Sequence, residues 1–153
     1  MRRVVVFACG EPLRGDDGAG PASVERLSAA SMTMADVRTC RSLSVEDLLA
    51  LPDEHSVVVV DAVTGPSPGE IVREPLADLE RVVAGWTPVS GHQLSLAATV
   101  ALADALGWRC RGTFLGVGAR SFTLGEGLSE PVAAALPALA AAIEREVEAL
   151  ARG

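Results

Sequence analysis

The 153-residue chain has no tyrosine and few other aromatics, two Trp and three Phe. Its core must therefore be built from Val, Leu and Ala. Cysteine is scarce too: Cys9, Cys40 and Cys110 are far apart in sequence, and none is in a Cys-x-x-Cys spacing. That excludes a disulfide framework and a cysteine-type zinc site, and leads us to expect a reducing compartment, by default the cytoplasm. There is no block of basic residues. Thirteen Lys and Arg against twenty Asp and Glu give a formal charge of −7, which argues against nucleic acid or an anionic membrane as partner. No apolar run reaches the roughly 20 residues needed to span a bilayer, because even the alanine-rich C-terminal stretch is interrupted by Pro137 and then by charges. The apolar run after Met1-Arg2-Arg3 is too short for a signal peptide and passes directly into a loop rich in glycine and carboxylate. We find no internal repeat, linker or low-complexity tract.

What remains is an ordinary globular balance, 49% hydrophobic and 22% charged. It suits a single domain over residues 1–153, large enough to bury about two thirds of its unfolded surface. Arg3 to Ala8 is a β-branched run, the pattern of a strand covered on both faces. Cys9 to Gly20 follows as a glycine-carboxylate loop, and Pro21 to Ala30 has helical spacing through Val24 and Leu27. Ala35 to Cys40 reads as a second strand, and Ser44 to Leu51 as a short helix capped by Ser44 and ended by Pro52. Four valines, Val57 to Val60, form the clearest buried strand and lead into Asp61. A Gly-Pro-rich turn then precedes an edge strand at Glu70 to Arg73, too close in sequence for a helical crossover and so expected antiparallel.

Further on, Leu76 to Val83 suggests a helical turn and Gly85 to Pro88 a loop. Ser90-Gly-His-Gln93 has the form of a capping box opening a helix over Leu94 to Leu106, with His92 in its first turn and Gly107 closing it. Arg111 to Val117 is the last strand. Ser129-Glu130-Pro131 opens a final helix to about Ala151, expected to kink or restart at Pro137. Alternating strands and helices predict a three-layer α/β/α sandwich: about five strands, mostly parallel, with one antiparallel edge strand. Right-handed crossovers bring the loops after parallel strands to one rim, where such sheets bind ligands.

Asp17, Asp61 and His92 are thereby candidates for one oxygen-and-nitrogen donor set suited to nickel, zinc, iron or manganese. Each has a plainer reading: Asp16 or Asp17 as a helix cap, Asp61 bonding the amides of its own turn, and His92 as a structural or exposed first-turn residue. Their combination and order carry more. Strand, Gly-x5-Asp-acidic-Gly, helix, then an apolar strand ending in Asp-Ala, then Ser-x-His-Gln-Leu resembles the hydrogenase maturation proteases over nearly the whole chain. The resemblance extends to the Pro-Gly turn before the edge strand, the Gly-Val-Gly end of the last strand and a proline inside the C-terminal helix.

The resemblance implies an aspartyl-type endopeptidase that removes the C-terminal extension from the precursor of a nickel-iron hydrogenase large subunit after nickel insertion. It implies Asp17, Asp61 and His92 as the catalytic and metal-contacting residues. The nickel is carried by the substrate, on cysteine thiolates, rather than held tightly by the protease, and no Ser or Cys nucleophile is required. The chain departs from the family pattern in Ala8-Cys9-Gly10-Glu11, where Gly-x-Gly-Asn is usual, and in Asp17, where Glu is common. It departs again in Thr39-Cys40-Arg41-Ser42, which replaces an acidic residue and paired glycines that help read the substrate.

Three other readings compete. A dinucleotide-binding loop is disfavoured because Asp16 and Asp17 would repel a pyrophosphate. A cysteine hydrolase pairing Cys9 with His92 would need an activated thiol, yet Cys9 lies where the strand ends, a common place for a small core residue. The third is a non-catalytic metalloprotein-binding or maturation-chaperone module of the same fold.

Overall fold

β-branched side chains are stiff and pack well on a pleated surface, and the valine runs of this chain form its sheet. The computed structural model describes residues 3–79, 95–109 and 111–153. Its strands are β1 (Arg3–Cys9), β2 (Ala35–Cys40), β3 (His55–Val63), β4 (Ile71–Pro75) and β5 (Arg111–Gly118). The helices among the described residues are α1 (Ala19–Val24), α2 (Ala29–Met34), α3 (Val45–Leu49), α4 (Leu96–Ala105) and α5 (Glu130–Arg152), with 3-10 turns at Gly15–Gly18 and Leu76–Asp78.

The strand order is β2-β1-β3-β5-β4. β1 pairs in parallel with β2 and β3, and β3 with β5. β4 runs antiparallel to β5 at the edge, as its short connection requires. Alternate side chains enter two cores, which is why the central strands read as unbroken apolar runs. Val4, Val6, Val58 and Val60 pack with Leu139 and Ile143 of α5. Val5, Phe7, Val57 and Val59 pack on the other face with Leu48 of α3 and Val100 of α4. The result is the expected α/β/α sandwich.

Several boundaries differ from the sequence reading. The helix expected over Pro21 to Ala30 is two short ones. α1 begins earlier, at Ala19, and stops at Val24, while Ser28 caps α2 by accepting from the Ser31 amide at 3.2 Å. β3 continues through Asp61 to Val63. The helix placed at Leu94 to Leu106 begins at Leu96, capped by Ser95, whose hydroxyl accepts from the Ala98 amide at 3.1 Å. It ends as expected at Gly107: Trp108 N–H bonds Ala103 O at 2.9 Å and Gly107 N–H bonds Asp104 O at 3.1 Å, a Schellman arrangement. The Ser44 cap is present and reciprocal, with Asp47 returning to the Ser44 amide. α5 runs unbroken through Pro137 and does not restart. The proposed Ser90–Gln93 box, His92 and the Gly85–Pro88 loop lie outside the described residues. Among the described residues no helix is long and apolar enough to cross a membrane.

β2 lies on one side of β1 and β3 on the other, so the connections diverge at β1. This switch point, beyond the carboxyl ends of β1 and β3, is where open α/β sheets form a ligand-binding crevice.

Candidate functional site at the β1–β3 crevice

The register pairs Ala8 with Val60, which sets Cys9 and Asp61 side by side where the two strands approach their ends. Beyond Cys9 the chain must turn sharply, and Gly10 makes this possible with φ +135°. A side chain there would also have no room, since a Cβ would lie 1.8 Å from the Asp17 carbonyl oxygen. Gly20 has a similar purpose in α1: a Cβ on it would lie 2.6 Å from the Cys9 carbonyl oxygen and 3.1 Å from that of Val60. These two close approaches fold residues 10–20 back over the strand ends and hold the Gly15–Gly18 turn at the crevice.

Asp17 is half-buried in that turn, and its Oδ2 accepts the Glu11 amide at 2.8 Å. Burial pushes its carboxyl above the usual range, although the Glu11 amide and the positive charge of Arg14 work against this. Asp61 lies inside β3 nearby, its Oδ1 accepting the amide of the next strand residue, Ala62, at 2.8 Å, rather than amides of a turn after the strand as the plainer reading expected. Burial raises its pKa well above the ordinary value, and the negative charge of Asp17 raises it further. The two carboxylates are thus neighbours that repel each other. Among the described residues no group of three or more His, Cys, Asp or Glu is arranged to hold a metal ion; the third expected member, His92, lies outside the described residues.

Asp16 is not the helix cap that the sequence suggested, and neither the 3-10 turn nor α1 has a side-chain cap. It is fully buried and reaches across to the segment between β5 and α5. Its Oδ2 accepts from the Arg120 amide at 2.7 Å, the Ser121 amide at 3.1 Å and the Ser129 hydroxyl at 2.8 Å, while Oδ1 accepts from the Ser129 amide at 2.7 Å. Burial alone would raise its pKa, but these donors outweigh it and hold the carboxyl below the ordinary range. Asp16 therefore anchors the loop from which Asp17 faces the crevice.

The segment Thr39-Cys40-Arg41-Ser42 borders the same loop. The Gly10 amide bonds the Cys40 carbonyl at 2.9 Å, and Arg41 pairs with Glu11 at 3.0 Å. Cys9 is only 1% exposed and belongs to the core. Its pKa is raised well above that of a free thiol, first by its hydrogen bond with Cys40 and then by burial, the opposite of what a hydrolytic nucleophile needs. The Cys9–Cys40 pairing and the tie from Asp16 to Ser129 escaped the sequence reading. The first had a signal, because both cysteines end strands expected in one parallel sheet.

Comparison with known proteins agrees with this fold. A family model described as HycI, hydrogenase maturation protease, matches residues 42–146. No curated protein matches the chain significantly. Among solved structures, the chain is similar to the [NiFe] hydrogenase maturation protease HybD from Thermococcus kodakarensis, at 25% identity over 94% of this chain and 97% of that one, with a TM-score of 0.69. A hydrogenase 2 maturation peptidase from a Thaumarchaeota archaeon is 26% identical over 97% and 98% of the two chains, with a TM-score of 0.59. The hydrogenase maturating endopeptidase HybD from E. coli shares the fold, with a TM-score of 0.73 at 20% identity over 92% of this chain and 89% of that one.

Proposed function

The chain belongs to the hydrogenase maturation protease family, and from that premise we propose that it cleaves the C-terminal extension from a nickel-iron hydrogenase large-subunit precursor once nickel is in place. The observation that carries this reading is the convergence of Asp17 and Asp61 at the β1–β3 crevice, where the charge of one disfavours ionisation of the other. Two carboxylates that repel each other are relieved by an incoming cation. They also leave most of that cation's coordination sphere to other ligands, as suits a nickel ion held by thiolates of the substrate.

In this reading Asp17, Asp61 and His92 touch the substrate-borne nickel and so recognise a loaded precursor. The metal supplies Lewis-acid chemistry toward the adjacent peptide carbonyl or the attacking water. Asp61, whose carboxyl burial and the charge of Asp17 hold above the ordinary range, is suited to accepting and returning the attacking water's proton. Asp17 is one methylene shorter than the Glu common in the family, a reach of roughly 1.5 Å, which a shifted backbone or a bridging water would make up. The bordering Thr39–Ser42 segment is where this chain's choice of precursor would differ from that of its relatives.

The test mixes the protein with its cognate large-subunit precursor, with and without nickel. Loss of mass at the precursor's C-terminus should occur only with nickel. Asp17→Asn, Asp61→Asn and His92→Ala should each lower cleavage at least about 100-fold, the scale of a lost acid-base group, while circular dichroism remains native. Cleavage retained in His92→Ala would remove the metal-recognition part of the proposal. Tight nickel-dependent binding without cleavage would identify a non-catalytic binding module instead.

A further inference from the structure

We propose that Cys9 and Cys40 form a dithiol modification site, which a hydroperoxide converts to an intramolecular disulfide at the foot of the crevice loops. The two residues are in register at the ends of adjacent parallel strands, where neighbouring backbones lie about 4.8 Å apart, within the window of Cα separations that a disulfide bridges. Their sulfurs are already 3.3 Å apart. A bond of about 2.05 Å asks them to close by roughly 1.2 Å, a matter of small side-chain rotations. The backbone needs no rearrangement, because the strand ladder and the Gly10 N–H to Cys40 O bond of 2.9 Å fix both residues.

The environments of the two thiols set the order of events. Cys9 is buried, whereas Cys40 is partly exposed, so Cys40 meets an oxidant first. Cys9, 3.3 Å away, is in place to resolve whatever oxidation begins at Cys40. The Cys40 thiolate attacks the peroxide: an S–O bond forms, the O–O bond breaks, and the alkoxide or hydroxide leaves. Cys9 then displaces hydroxide from the Cys40 sulfenic acid, its own proton completing water as the S–S bond forms. Two thiols are oxidised and one peroxide is reduced, and a dithiol reductant restores the starting state. Cys9 leads directly into Gly10, on which the Asp17 backbone rests, so the new bond joins the loop of the crevice to the Thr39–Ser42 segment.

Purified, fully reduced protein is treated with a small excess of hydrogen peroxide and mapped by non-reducing peptide mass spectrometry. The Cys9 and Cys40 peptides should appear linked, with a loss of two hydrogens that dithiothreitol reverses. In Cys9→Ser, Cys40 should stop at a sulfenic acid trapped by dimedone; in Cys40→Ser, Cys9 should stay unmodified. A sulfinic acid on Cys40 without linkage in the wild type, linkage through Cys110, or both thiols surviving peroxide would overturn the proposal.

Discussion

Asp16 is fully buried, and its two oxygens accept from three amides and one hydroxyl of the segment leading into α5. Asp17, next to it, accepts one amide and is close enough to Asp61 for its charge to be felt there. Adjacent residues of one type thus have opposite shifts, Asp16 below the ordinary carboxyl range and Asp17 above it. Because folding lowers the pKa of Asp16, its stabilisation is present above the unfolded value of about 3.9 and is lost as pH falls through the folded value. Asp16→Asn keeps the size but replaces one acceptor oxygen with an amide NH2 that faces donors. It should cost about 2–4 kcal/mol at pH 7, the scale of hydrogen bonds lost to a charged acceptor and donors left unpaired. Urea unfolding measures this, and the gap from wild type should narrow in acid. A gap that is unchanged at pH 3 would mean that the charge is not what holds the loop.

At the scale of elements, α5 shares one face of the sheet with α1, with Val132, Leu139, Ile143 and Val147 buried against it. Arg73 of β4 is joined to Glu146 of α5 by two bonds of 2.7 and 3.0 Å, which fasten the edge strand to the helix. Pro137 sits inside this helix on its exposed side, without an N–H for the carbonyl four residues earlier, also exposed. Pro137→Ala should therefore stabilise the protein by about 1–3 kcal/mol, part or all of the interior proline penalty, without altering cleavage. A thermal melt reads this as a rise of about 2–4 °C per kcal/mol. Strands were legible in the sequence because covered parallel strands need unbroken β-branched runs, and Val57 to Val60 admit no other reading. The first helix was misread because Val24 and Leu27 have helical spacing yet fall on either side of its end. Its start is imposed by Gly20 packing on strand carbonyls, and Ser28, at the break, is held by Glu144 of α5 at 3.2 and 3.1 Å.

For the molecule as a whole, the β2-β1-β3-β5-β4 order brings distant segments to one crevice. The closeness of Asp17 and Asp61 was legible because residues after parallel strands share a rim, whereas Asp16's partners, more than a hundred residues away, left no local pattern. Concentrating carboxylates at that rim opposes stability. Burial and the charge of Asp17 raise the pKa of Asp61, so the folded chain holds this proton more tightly than the unfolded chain does. Stability then falls as pH rises from the unfolded value of about 3.9 toward the folded one, and the loss persists above it. Asp61→Asn removes the titration and can still accept the Ala62 amide. The variant should match wild type near pH 3 and exceed it at pH 7 by roughly 1 kcal/mol or more, or about 2–4 °C in Tm, while its cleavage activity disappears. Paired melts from pH 3 to 8 provide the measurement. Parallel curves across that range would show that Asp61 ionises as freely in the fold as outside it, and that the crevice holds no such strain for a cation to relieve.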